Sequence, residues 1–139
     1  MGMVRAKIQL RNSYDVMAAM DGVKKESQIR SISVTALVDS GAYMLAVNEE
    51  IVKQLGLRTI DRRIAELANG SITEVDIVGP IELRFENRMS NCNAMVLPSN
   101  TEVLLGAIPM EEMDVLMHPK DQKLIVNPAH LVIPQLSLK

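Results

Sequence analysis

The sequence predicts an all-β class, built mainly from strands with two short helices. Apolar and polar residues alternate along most segments, which is the period of a half-buried strand. The dipeptide Asn69-Gly70, a strong hairpin signal, separates two such runs. Helical spacing of apolar residues is confined to two short stretches. The length of 139 residues predicts a single domain over residues 1–139.

The first third of the chain predicts two strands and a long connection. Val4 to Leu10 alternates apolar and polar residues. Asn12 to Gln28 is polar and contains the turn signal Asp21-Gly22, so it is predicted as a loop or a wide hairpin connection. Ile29 to Val38 alternates and then becomes continuously apolar from Ala36 onward. This change predicts a strand that runs from a solvated edge into the interior.

The first helix is predicted over Asn48 to Leu55. Asn48 can cap it, and Glu49 and Glu50 suit the positive first turn. Gly56 can adopt the left-handed conformation that ends a helix. The predicted buried face consists of Ile51, Val52 and Leu55.

A predicted hairpin follows, with Leu57 to Ala68 and Ser71 to Val78 as its strands. Asn69-Gly70 suits a type I′ turn, which requires two positive φ angles. Further strands are predicted at Ile81 to Phe85, Met89 to Leu97 and Val103 to Gly106.

The second helix is predicted to begin at Pro109, because proline costs nothing in a first turn. Glu111 and Glu112 favour the N-terminal end of this helix, where the helix dipole is positive. The helix is expected to stop at His118-Pro119, with the last strands at Leu124 to Val126 and Leu131 to Ile133. Its predicted packing face consists of Met110, Met113, Leu116 and Met117.

Composition argues against several classes of partner. The net charge is −2, from 15 basic and 17 acidic residues, and aromatic residues are 2%, so we expect no nucleic acid. No apolar run reaches the roughly 18 residues of a membrane helix, and the N-terminus has no signal-peptide core. The single cysteine, Cys92, fits a reducing compartment. We therefore expect a cytoplasmic protein without membrane contact.

The segment Asp39-Ser40-Gly41 directly follows the buried strand. A carboxylate placed there is costly unless it is hydrogen-bonded or used. Glycine permits a sharp turn and a close backbone approach, and serine can brace the loop. Alone, the tripeptide is also consistent with a capped tight turn in an all-β structural domain, which would be a monomer.

The residues from Ala36 to Ala42 resemble the apolar strand followed by D-(T/S)-G-A of the retropepsin-like aspartic protease family. Asn69-Gly70 stands where such proteins carry a flap, and Leu104-Leu105-Gly106 is similar to the family's apolar-apolar-Gly element. The similarity runs from about Val34 to Val126. It implies a retropepsin-like half-barrel that is active as a symmetric homodimer.

The resemblance also implies an aspartic endopeptidase, a hydrolase acting on proteins or peptides. That chemistry needs two carboxylates sharing one proton. The chain holds one Asp-Ser-Gly, so Asp39 is expected to meet Asp39 of a second copy. By resemblance, Ser40 hydrogen-bonds across the two-fold axis, Gly41 accepts substrate backbone and Ala42 lines the first pocket. The substrate-binding flap tip is expected at Ala68, Asn69, Gly70 and Ser71.

The chain departs from viral members at two positions. They place an acidic residue after D-T-G-A and a basic residue after the apolar-apolar-Gly glycine, whereas this chain has Tyr43 and Ala107. The joint loss indicates the cellular or bacterial branch. A non-catalytic dimerisation or peptide-binding module of the same fold is the alternative function. The segment Leu131 to Leu138 either joins the dimer or packs on its own subunit.

No metal site and no cofactor are expected. His118 and His130 have no ligand-like spacing with Cys92, and no phosphate-binding glycine loop is present. Apolar neighbours of the motif and the predicted flap suggest either greasy substrate pockets or core. They are Met44, Leu45, Ile72 and Ile108.

Overall fold

The computed structural model describes residues 3–67 and 69–136 of the chain, and this part is mainly β, as predicted. Its helices are α1 (Ser13–Met20), α2 (Glu49–Leu55) and α3 (Ala107–Met113), with a 3₁₀ turn at Glu26–Gln28. Its strands are β1 (Arg5–Asn12), β2 (Ser31–Val38), β3 (Leu45–Asn48), β4 (Arg58–Glu66), β5 (Ile72–Phe85), β6 (Arg88–Leu97), β7 (Leu104–Leu105), β8 (Val115–His118) and β9 (Lys123–Val126).

Seven strands form one sheet in the order β1-β2-β7-β3-β6-β5-β4. Because β1 also pairs with β5, the sheet closes on itself and encloses the core. Strand β4 lies outside this ring and extends the sheet by pairing with β5. The hairpin β8–β9 forms a separate two-stranded sheet. The fully buried apolar side chains include Leu10, Ala36, Leu45, Val47, Leu55, Ile81, Leu83, Ala94, Leu105 and Met113.

The predicted helix over residues 48–55 is confirmed with its caps. The Asn48 side chain accepts a hydrogen bond from the Ile51 N–H at 3.1 Å, which satisfies one free donor of the first turn. Gly56 ends α2 with a φ of 60°, in the left-handed region. Ile51 and Leu55 are buried, and Val52 packs partly buried against the core.

Helix α1 was not predicted, but residues 12–28 lie in the wide connection between the antiparallel strands β1 and β2, which is one of the two predicted alternatives. Asn12 caps the helix by accepting from the Asp15 N–H, and its Nδ2 donates to the Leu55 carbonyl at 2.8 Å. The helix buries Ser13 and Asp15 and exposes its larger apolar residues, Tyr14, Met17 and Met20. This reverses the usual amphipathic pattern, so the apolar periodicity gave no helical signal.

Asp15 explains the reversed pattern of α1, because its buried carboxylate organises the surrounding chain. It accepts hydrogen bonds from Lys24 Nζ at 2.6 Å, Arg30 Nε at 2.8 Å and the Arg30 backbone N–H at 3.0 Å. The Arg30 side chain is the main cause that lowers the pKa of Asp15, against the opposing effect of burial. The carboxylate thereby joins α1 to the start of β2.

Helix α3 is shorter than predicted. It begins at Ala107, places Pro109 in its first turn and ends at Asp114, whose φ is 54°. Met110 and Met113 are buried as expected, but Leu116 and Met117 lie in β8 and are exposed. The prediction for Glu111 and Glu112 was also wrong, since neither lies in the first turn. Within the described ranges, no helix is long and apolar enough to cross a membrane.

The predicted strand at Leu131 to Ile133 is absent, and these residues form bends with exposed side chains. Asp114 holds this tail: its Oδ2 accepts from the Gln135 N–H at 2.9 Å and lies 2.7 Å from His130 Nδ1. The backbone N–H of Gln135 and the side chains of Asn127 and His130 lower the pKa of Asp114 to about 2.

Two predicted strands, residues 71–78 and 81–85, form one continuous strand, β5. Its pairing with β6 is irregular between Val78 and Ile81, where Gly79-Pro80 lies. The interruption is local, so the strand continues beyond it. At its other end, β5 forms with β4 the predicted hairpin, closed by the five residues from 67 to 71 rather than by a two-residue turn.

Candidate active site

Asp39 is held at the end of β2 by a parallel neighbour. Strand β2 pairs with β7, with Val38 opposite Leu105, and the Asp39 N–H donates to the Leu105 carbonyl at 3.0 Å. Ala36 and Val38 are buried, whereas Asp39 is half-buried. The core therefore fixes the backbone of Asp39 while its carboxylate reaches the surface of the subunit.

The loop after Asp39 turns back on the same carboxylate. The Gly41 N–H donates to Asp39 Oδ1 at 2.9 Å, and the Ala42 N–H donates to the Asp39 carbonyl at 3.1 Å. Ser40 and Gly41 are exposed, and Ala42 is half-buried. Among the described residues, no arginine, lysine or histidine forms an ion pair with Asp39. The Gly41 N–H therefore orients the carboxylate through one of its oxygens, and no cationic side chain of the described residues neutralises it.

Gly106 allows the start of α3 to pack closely against this loop. A Cβ atom on Gly106 would lie 2.3 Å from the Met44 carbonyl oxygen and 2.8 Å from that of Ala42. The close approach allows two backbone bonds, from the Ala107 N–H to the Ala42 carbonyl at 2.8 Å and from the Ile108 N–H to the Tyr43 carbonyl at 3.0 Å. The predicted element Leu104-Leu105-Gly106 therefore positions Asp39 in two ways. Leu105 accepts the hydrogen bond from the Asp39 N–H, and Gly106 lets α3 approach the loop.

A groove of about 820 Å³ lies between this loop and the β4–β5 hairpin. Of the predicted site residues, Asp39, Gly41 and Ala42 line the groove, and Ser40, Asn69, Gly70 and Ser71 do not. Ala68 lies outside the described residues. The predicted pocket residues divide in the same way: Met44 and Ile108 line the groove, Leu45 is core and Ile72 is exposed.

The tip of the β4–β5 hairpin is organised by its own polar groups. The Leu67 N–H donates to the Ser71 carbonyl at 2.8 Å, and the Asn69 side chain accepts from the Ser71 N–H and hydroxyl. Gly70 has a φ of 84°, a conformation that favours glycine. The strands below the tip, rather than the tip, form the hairpin wall of the groove.

Sequence reasoning missed the residues of that wall. They include Arg63, Ala65 and Leu67 on β4 and after it, and Val75 and Ile77 on β5; Met95 on β6 also lines the groove and was also missed. Alternation along the predicted hairpin strands divides their residues between two faces, but it does not show which face lines the groove. That assignment depends on how the hairpin bends over the Asp39 loop.

The other predicted features of the chain lie away from the groove. Cys92 is a strand residue in β6, as expected, and burial is the main cause that raises the pKa of its thiol to about 12. Within the described part of the chain, no group of three or more His, Cys, Asp or Glu side chains is arranged to hold a metal ion.

A family model described as aspartyl protease matches residues 26–108. The match includes the Asp39 loop, the β4–β5 hairpin and Gly106, the three elements on which the resemblance was based. The chain belongs to the retropepsin-like aspartyl protease family.

A relative of this chain is DNA damage-inducible protein 1 of Candida glabrata, with 31% identity over 105 residues. The alignment covers 70% of this chain but 25% of that relative, so the chain spans about a quarter of the relative's length. The relative comes from a cellular organism, which agrees with the departure from the viral pattern at positions 43 and 107.

The structure shows how this chain joins the two elements that lack the viral ion pair. The Tyr43 side chain is 76% exposed and so does not hold the loop. The backbone bonds from Ala107 and Ile108 connect the elements instead. An uncharged contact thus stands where viral members place opposite charges.

Proposed function

We propose that the protein is a homodimeric aspartic endopeptidase that hydrolyses peptide bonds of proteins or peptides. One observation carries the proposal: Asp39 lines an open, largely apolar groove, and its loop is hydrogen-bonded to β7 and packed closely against Gly106. The other acidic residue lining the groove is Glu66, which belongs to the β4–β5 hairpin rather than to the loop. The second carboxylate of a dyad is therefore proposed to be Asp39 of a second copy.

In the proposed mechanism, the two Asp39 carboxylates share one proton and hold a water molecule between them. The ionised carboxylate takes a proton from the water as its oxygen attacks the peptide carbonyl carbon. The protonated carboxyl donates its proton to the carbonyl oxygen, giving a tetrahedral diol. Collapse of the diol breaks the C–N bond: one diol hydroxyl returns its proton to the second carboxylate as the carbonyl re-forms, and the leaving amine takes up the proton that the first carboxylate received.

The remaining roles follow from position. Ser40 is exposed beside Asp39 and is proposed to hydrogen-bond across the two-fold axis. Gly41 and Ala42 line the groove and are proposed to bind the substrate backbone and first side chain. An extended peptide would lie between the loop and the hairpin, with Ala68, Asn69, Gly70 and Ser71 closing over it.

Exposed apolar residues of the tail support association of two copies. Leu131, Val132 and Ile133 are 63%, 83% and 73% exposed, and Leu136 is 54% exposed. Adjacent exposed apolar side chains favour burial against another surface. The proposed location is the cytoplasm, because the single cysteine fits a reducing compartment.

The proposal is tested by incubating wild type and Asp39→Asn with a peptide library between pH 4 and 7, roughly the range in which a dyad carries one proton. Wild type should cleave and be inhibited by a statine-type transition-state mimic, and Asp39→Asn should be inactive. Asp21→Asn is the matched control, because Asp21 is exposed at the end of α1. Cleavage that persists in Asp39→Asn would refute the assignment.

Sedimentation measures the dimer separately. A dimer that binds library peptides without cleaving them would support the alternative function, a peptide-binding module of the same fold. A protein that remains a monomer at the concentrations where it cleaves would refute the shared dyad.

A further inference from the structure

Two adjacent arginines on β4 face opposite sides of the hairpin. Arg63 is paired with Val75 across the strands, and Arg62 with Asp76. Directly paired residues of antiparallel strands point to the same face. Val75 is 8% exposed and lines the groove, as does Arg63. Arg63 therefore belongs to the groove side of the hairpin and Arg62 to the outer side.

The outer arginine has its partners within the hairpin. Arg62 Nε lies 3.2 Å from Asp76 Oδ1, and Arg62 Nη1 lies 3.3 Å from Glu74 Oε1. Both acidic residues are on β5 and compensate the charge of Arg62. The ion pairs of Arg62 therefore lie on the outer side of the hairpin and do not involve the groove.

The groove-side arginine is only partly compensated. Arg63 Nε lies 3.3 Å from Asp61 Oδ2, and within residues 3–67 and 69–136 its two Nη atoms donate no hydrogen bond. The Asp61 carboxylate is kept charged, because the Arg62 backbone N–H and then the Arg63 side chain lower its pKa. The side chain of Arg63 remains 62% exposed. Its guanidinium edge is therefore available for a second carboxylate, which arginine binds through two parallel hydrogen bonds.

Glu66 also lines the groove, but it lies three positions from Arg63 and so on the other face of β4. It is paired with Ile72, which is 71% exposed, whereas the partner of Arg63 is buried at the groove. The rise of about 3.3 Å per residue also places Arg63 and Glu66 about 10 Å apart along β4. The groove-lining neighbours of Arg63 on β5, Val75 and Ile77, are apolar.

We propose that Arg63 is a specificity-determining residue, which selects peptides carrying an acidic side chain among apolar ones. The inference rests on the proposed function, because it takes the groove as the peptide site. An extended peptide directs alternate side chains to one wall, so one substrate position meets Arg63. Its carboxylate binds the free edge of the guanidinium, and its apolar neighbours pack on the rest of the groove.

The test uses octapeptides of Ala, Leu and Val in which a single Glu or Gln is moved through all positions. At one position, wild type should cleave the Glu peptide about fivefold or more faster in kcat/KM than the Gln peptide. This factor is that of one charge-assisted hydrogen bond of about 1 kcal/mol or more. Arg63→Met should bring the ratio close to one, and Arg62→Met, the matched control on the opposite face, should leave it unchanged.

Binding of the same peptides to Asp39→Asn, measured by fluorescence anisotropy, separates this inference from the proposed function. Cleavage without a Glu preference, or a preference that survives in Arg63→Met, overturns the role of Arg63 and leaves the protease proposal standing. Arg63-dependent binding of Glu peptides without cleavage by wild type supports the selectivity and refutes the protease proposal. Peptides that are neither cleaved nor bound overturn both.

Discussion

Replacing Gly106 by alanine tests how the Asp39 loop is supported. The new Cβ would lie 2.3 Å from the Met44 carbonyl oxygen, 2.7 Å from the Tyr43 carbonyl carbon and 2.8 Å from the Ala42 carbonyl oxygen. All three are backbone atoms, which cannot rotate away as the end of a side chain can. The φ of Gly106 is −89°, which alanine adopts without strain. The cost is therefore steric, and α3 must separate from the loop.

The magnitude has two parts. Inserting a methyl group into a closely packed site costs about 1–3 kcal/mol. The separation also weakens the bonds from Ala107 to Ala42 and from Ile108 to Tyr43, each contributing about 1 kcal/mol. We expect Gly106→Ala to lose about 2–5 kcal/mol of unfolding free energy, a decrease in Tm of about 8–20 °C for a chain of this size.

The assay is urea and thermal unfolding followed by circular dichroism, with peptide cleavage as a second readout. Gly22→Ala is the control, because Gly22 has a φ of 75° and a Cβ there would meet nothing within 4 Å. It should lose about 1 kcal/mol from backbone strain alone and keep its activity. Gly106→Ala should lose more stability than the control and most of its cleavage. If the two variants are equally stable, the steric reasoning is wrong.

Three further predictions concern single side chains. Asp15→Asn should lose about 3 kcal/mol in urea unfolding at pH 7, because it leaves the cations around a buried site uncompensated, whereas exposed Asp21→Asn should change little. Because the folded-state pKa of Asp15 is lowered, its contribution to the free energy of unfolding is complete above the ordinary carboxyl pKa of about 4 and is lost as the pH falls below that value. A difference between wild type and Asp15→Asn that does not change with pH would contradict this. With its thiol pKa raised to about 12, Cys92 should react far more slowly with a disulfide reagent at pH 8 when folded than when unfolded, and equal rates would contradict the burial. Ser40→Ala should weaken the proposed dimer about fivefold in sedimentation, since a buried cross-subunit hydrogen bond contributes about 1 kcal/mol, and unchanged affinity and activity would remove Ser40 from the mechanism.

The joined backbones of α3 and the Asp39 loop show how a family can keep a supporting contact while changing its chemistry. At the two positions where viral members place an ion pair, this chain has Tyr43 and Ala107 and uses backbone hydrogen bonds. Backbone bonds do not depend on the protonation of side chains. The support of the loop is therefore expected to persist over the acidic range in which the proposed dyad works.

Local signals in the sequence were sufficient for several elements. Alternation predicted β1 and β2, and the capping residues Asn48 and Gly56 predicted both ends of α2. The motif at Asp39 and the glycine at 106 predicted the family, because each residue type meets a requirement of the backbone next to it. These features depend on residues that are close together in the chain, so they can be recognised in a single sequence.

Tertiary structure decided the remainder. Helix α1 exists because Asp15 finds Arg30 fifteen positions away, and the tail follows Asp114 rather than pairing as a strand. Arg63 and Arg62 are equivalent by residue type, and only the pairing of β4 with β5 directs one of them to the groove. In each case the deciding partner is distant in sequence. Alternation and capping depend on residues close together in the chain, so they cannot predict a contact that forms only when the chain folds.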